Sequence, residues 1–165
     1  MDQIHSFLMF IASAFYFMIF CKALTKPIEK EILTLLFLGV LYPFGKFIQF
    51  HFFFPSWLRW HLADIGFIPF WTLLSGIGLF SKKGGKKYRV TCFKSLALKG
   101  AFISAIFALG FEFTAMLTNP QKTKIDYVIG DWIDTSVFIV MLLICILLIQ
   151  SAYPKMINNP FWKLA

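Results

Sequence analysis

Charge is scarce in this chain: Asp, Glu, Lys and Arg make up 15% of its 165 residues, against about 25% in an ordinary soluble domain. Too few polar side chains remain to cover a globular surface, which argues against a water-soluble enzyme. Acids are the scarcer sign, 8 against 16 Lys and Arg, for a net charge of +8. Cysteine is limited to Cys21, Cys92 and Cys145. Their spacing suits neither a metal site nor a disulfide framework, so free thiols are expected. Motifs of defined chemistry are missing as well: no H-E-x-x-H, no G-x-S-x-G, no P-loop and no dinucleotide fingerprint. Gly76-Ile77-Gly78 and Gly84-Gly85 are too short to cradle a phosphate. Composition also excludes a disordered tail, a collagen-like fibre and a disulfide-stapled secreted module.

What the chain has in quantity is apolar: 59% hydrophobic and 19% aromatic residues, with a mean hydropathy of +0.74. A helix needs about 20 mostly apolar residues to cross a bilayer. Ile4–Cys21, Leu62–Phe80, Leu96–Leu117 and Thr135–Tyr153 meet this plainly. A fifth segment, Ile32–Phe54, is long enough but carries Pro43, Lys46, Gln49 and His51. Proline removes a helix hydrogen bond, so this span is expected to bend at Pro43. Ile4–Cys21 has no basic stretch before it, and Lys22-Ala-Leu-Thr-Lys26-Pro27 after it is no cleavage site; it reads as a retained helix rather than a signal peptide. The expected fold is therefore all-α, a single transmembrane domain over residues 1–165 with five spans. The 22 phenylalanines are spread over all of them, which suits lipid-facing and packing positions.

The basic residues set an orientation. Lys82, Lys83, Lys86, Lys87, Arg89, Lys94 and Lys99 cluster in one hydrophilic stretch, with 81–95 read as a loop between two spans. That is the pattern of the positive-inside rule, not of a nucleic-acid patch, and the same cluster could attract anionic headgroups. With Lys22, Lys26, Lys30, Lys155 and Lys163 on the same side, that side holds 12 basic residues, and the other holds 4: Lys46, Arg59, Lys122 and Lys124. The expectation is an N-terminus outside, a C-terminus in the cytoplasm, and a bacterial inner membrane as the location. Trp57, Trp60 and Trp132 would mark the outer interface, Tyr88 and Trp162 the inner one.

In this topology the acids are lopsided. Asp2, Asp64, Glu112, Asp126, Asp131 and Asp134 fall in the outer half or outside it, and Glu29 and Glu31 inside. A carboxylate in hydrocarbon is expensive and calls for a partner, a cavity or a ligand. Glu112 is the sharpest case, about five residues inside its span and hence roughly 8 Å deep at 1.5 Å per residue. At 100° per residue Ala101, Ser104, Ala105, Ala108, Glu112 and Ala115 share a face, and small residues allow close helix approach. His61, Asp64, Trp71, Ser75 and Gly78 share a face of the third span; Asp131, Asp134, Thr135 and Phe138 share one of the fifth. Three helices can thus present ionisable groups at similar depth near the outer surface.

The candidate ligand-binding set is Glu112, Asp64, Asp134, Asp131, His61 and Arg59. Plainer roles compete. Arg59 can neutralise an acid, His61 can bond a carbonyl, and Asp131 or Asp134 can cap the helix start. Carboxylates suit a divalent cation such as magnesium or calcium, while clustered acids in low dielectric can instead hold protons. No organic cofactor is expected.

The order of these residues resembles a group of small bacterial polytopic membrane proteins loosely related to the VanZ-like family. The matching stretches are His61-Leu-Ala-Asp64-Ile-Gly-Phe-Ile-Pro69, a basic loop, Phe111-Glu112, and Asp131-Trp-Ile-Asp134. They cover roughly residues 57–150 and leave the first two spans unmatched. Phe138, and Ala115-Met116 after Glu112, stand where that family carries polar residues. The resemblance implies the multi-span architecture and the position of a site in the cell envelope; the family's activity is unsettled. Together these readings favour a non-enzymatic protein that binds a cation, a basic headgroup or a cell-envelope molecule in an outward-facing acidic pocket. The alternatives are an accessory subunit of a larger membrane complex, a homo-oligomer, and then a membrane hydrolase, transferase or transporter. The lipid bilayer is the expected partner and nucleic acid is not.

Overall fold

In the computed structural model the backbone is described for residues 2–24, 28–49, 56–78, 86–118 and 125–159. These residues form five helices: α1 Asp2–Leu24, α2 Lys30–Gln49, α3 Ser56–Gly78, α4 Lys86–Thr118 and α5 Ile125–Asn158. The all-helical expectation holds. Among the described residues three helical stretches are long and apolar enough to cross a membrane: Lys30–Ile48, Arg89–Thr114 and Trp132–Asn158. In α1 the described side chains form the apolar stretch Phe10–Cys21. The polar residues His61 and Asp64 lie inside α3. The bundle is that of a membrane protein, with a row of exposed Phe102, Ile103, Ile106, Phe107 and Phe111 along α4. A water-soluble monomer rarely leaves so large an apolar patch uncovered.

The largest departures from the expected boundaries are the starts of α4 and α5, and α3 also begins earlier, at Ser56 rather than Leu62. The basic stretch expected as a loop over 81–95 is helical from Lys86 onward, where it extends α4. Lys and Arg are good helix formers, and water solvates their side chains on a helix as well as on a loop. Helix α5 begins at Ile125 rather than near Thr135, so Asp131 and Asp134 lie in its second and third turns and neither is an N-cap. Pro43 and Pro69 lie inside α2 and α3.

Helix α3 is the centre of the bundle, packed on α2, α4 and α5, while α1 lies against α2. The α2–α3 seam is set by two glycines. A Cβ at Gly45 would come under 3.0 Å from the Ala63 main chain, and one at Gly66 under 3.0 Å from the main chain of Leu41 and Tyr42. Only glycine lets two backbones approach so closely. Of the α4 face expected to be buried, Ala101, Ser104, Ala105 and Ala108 are inside and Glu112 is half-buried, while the Ala115 side chain lies outside the described residues. At the opposite end of α5, Lys155 pairs with Glu31, and Ser151 Oγ donates to Glu31 Oε1 at 3.3 Å, tying α5 to the start of α2.

Tyr16 anchors α1. It is 1% exposed and stacks on Phe70 with ring centroids 4.7 Å apart. Its hydroxyl reaches the carbonyls of Leu35 and Leu36 at 3.4 and 3.2 Å. Those carbonyls also accept within α2, so the hydroxyl adds one ordinary hydrogen bond. Tyr16→Phe is expected to cost about 1 kcal/mol, read as a small drop in melting temperature in detergent with α1 still docked.

Candidate functional site

Helix α3 brings the site together because its neighbours present their own polar residues to the same end. The closest group is His61 and Asp64 of α3 with Asp134 of α5: one potential ligand atom from each lies within 4.8 Å of the others. His61 Nδ1 donates to Asp134 Oδ1 at 2.7 Å. The His61 and Asp134 side chains are 31% and 18% exposed, so a small solute can still reach them. His61 and Asp64 are i,i+3 on one helix and therefore neighbours on its surface. The tight α2–α3 seam at Gly45 and Gly66 flanks them on the other side.

The surroundings of Asp64 are charged from four helices. Asp134, Lys46, Glu112 and His61 all act on it electrostatically. Among the described residues three carboxylates, Asp64, Asp134 and Glu112, share this end of the bundle with Lys46 and His61. Lys46 also stands over the Tyr42 ring, 5.9 Å from its centroid.

Comparison with protein families, with characterised proteins and with solved structures finds no match to this chain. The site therefore has to be read from its own geometry.

Of the six residues singled out from the sequence, His61, Asp64 and Asp134 are brought into one compact group. Glu112 stands beside that group, within electrostatic reach of Asp64. Asp64 is thus in the compact group, and Glu112, expected as the central acceptor, stands beside it. Arg59 and Asp131 lie on α3 and α5, and their side chains fall outside the described residues. Lys46 was missed as a site residue. The signal was present, because a lysine within an apolar helix demands a counter-charge just as Glu112 does.

The chemistry open to the group follows from its atoms. Two carboxylates and an imidazole form a mixed oxygen–nitrogen donor set, which suits a transition ion such as manganese or zinc at least as well as magnesium. With Nδ1 donating to Asp134, a neutral His61 keeps its lone pair on Nε2. A carboxylate that orients a histidine in this way also raises its basicity as a ligand.

Proposed function

We propose that this chain is a multi-pass protein of the bacterial cytoplasmic membrane, with five spans and the acidic end facing outward, whose non-enzymatic role is to bind a cation. The ligand is a metal ion or the cationic group of a headgroup or cell-envelope molecule. One observation carries this reading: His61, Asp64 and Asp134, from two helices, place their ligand atoms within 4.8 Å. The electrostatic influence of Asp134 and Glu112 on Asp64 supports it. The resemblance to VanZ-like proteins is compatible with it, since its matching residues include the same three positions.

The orientation rests on the basic residues of α4 and on Lys82 and Lys83, which precede it in sequence. A cysteine-accessibility map that placed residues 86–94 outside would reverse it. Binding is tested with manganese as the probe, titrated by electron paramagnetic resonance into the full chain in detergent. One ion per chain is expected. Glu112→Gln is expected to weaken binding about tenfold, the scale of a residue that acts on a site without ligating it. Manganese, magnesium and zinc all failing to bind, together with the amine of phosphatidylethanolamine, would leave the acids as docking residues. In that case a stoichiometric protein partner in gently extracted samples would identify the chain as a subunit of a larger complex.

A further inference from the structure

A second feature lies away from the charged cluster. Phe67, Trp71 and Ser75 of α3, one helical turn apart, face Lys99, Ile103 and Phe107 of α4 across a half-open cavity of about 640 Å³. That volume falls in the roughly 300–1,000 Å³ range of small-molecule sites. Its walls are almost wholly apolar, and the α4 side is open: Ile103 and Phe107 are 54% and 72% exposed. The groove faces sideways from the bundle, where a membrane protein meets acyl chains rather than water.

Its ends are chemically different. One end is Lys99, which makes no ion pair among the described residues; it continues the basic run of α4 through Lys94 and Arg89. The other end is Tyr42, which lines the groove and lies within electrostatic reach of Asp64. Lys99 and Phe107 are eight positions apart, about 12 Å along the helix at 1.5 Å per residue. Lys99 lies well inside α4 but only four positions beyond Ser95, where the polar part of the helix ends. A lysine so placed reaches back to headgroup level with its ammonium while its stem covers apolar surface. From there the groove runs inward along the helices, in the direction an acyl chain takes.

The geometry points to a bound phospholipid with an anionic headgroup: its phosphate at Lys99, and one acyl chain in the α3–α4 groove. Charge complementarity selects the occupant. A zwitterionic lipid would satisfy the apolar walls equally well, but it carries no net negative charge to meet Lys99.

The test uses the full chain in mild detergent, equilibrated with equal amounts of phosphatidylglycerol and phosphatidylethanolamine of identical acyl chains, and read by native mass spectrometry. One retained lipid per chain is expected, with phosphatidylglycerol favoured fivefold or more. Lys99→Gln should bring the ratio to about one without moving the melting temperature. Lys94→Gln should leave the ratio unchanged, since Lys94 stands over the Tyr153 ring at 4.2 Å, on the α5 side. Phosphatidylglycerol carrying a diazirine in its acyl chain should label Ile103, Phe107 or their α3 partners. The proposal fails if no lipid is retained, if Lys99→Gln keeps the preference, if Lys94→Gln abolishes it equally, if the label lands elsewhere, or if a second copy of the chain takes the lipid's place.

Discussion

Gly66→Val is expected to leave little or no folded protein. Overfilling a packed site costs about 1–3 kcal/mol where side chains can move aside. At Gly66 the atoms that a Cβ would meet are the main chain of Leu41 and Tyr42, which cannot rotate away. The loss should therefore exceed that range and remove a large part of a stability of roughly 5–15 kcal/mol. Gly45→Ala lies on the same seam against the Ala63 main chain, so its effect and that of Gly66→Ala should not add independently. Gly110→Ala is the matched control, because a Cβ there meets nothing within 4 Å. The readout is the monodisperse fraction in size-exclusion chromatography together with the thermal melt. A Gly66→Val protein that melts like the parent would mean that the α2–α3 seam is not as close as described.

Asp64→Asn should have the largest effect on ligand binding, with manganese affinity lowered about a hundredfold. The substitution keeps shape and removes the charge at the point where His61, Lys46, Glu112 and Asp134 all converge. Asp134→Asn should cost about tenfold to a hundredfold, because it weakens the hydrogen bond that orients His61. His61→Gln and Asp134→Asn should be strongly non-additive, since each removes the same 2.7 Å contact. Folding is followed in parallel by circular dichroism. Equal small losses for Asp64→Asn and Glu112→Gln would place the binding centre elsewhere.

Part of this arrangement was legible in the sequence. The small residues Ala101, Ser104, Ala105 and Ala108 recur at helical spacing, so the buried face of α4 followed from periodicity. The same arithmetic placed His61, Asp64, Asp134 and Glu112 at one end of the bundle. Which of them touch was not legible. That depends on how closely α2, α3 and α5 approach, and the approach is set by contacts such as Gly45 on Ala63, which lie far apart in sequence. Helix ends were the weakest part of the reading. Apolarity marks what lies in lipid, and helices α4 and α5 run on into polar sequence at Lys86–Ser95 and Ile125–Asp134.

The 33 and 34 residues of α4 and α5 have a mechanical meaning. At 1.5 Å per residue each is about 50 Å long, while the hydrocarbon slab is about 30 Å thick. Some 20 Å of each rod must stand clear of the oil or lean to hide in it. Near the basic end the two rods are laced together, with the Thr91 and Tyr153 hydroxyls 3.1 Å apart and Lys94 over the Tyr153 ring. They would therefore tilt as a pair. A thinner or thicker bilayer would be felt as torque on that pair, passed to the α3–α4 groove and the α3–α5 charge cluster through the helices they share.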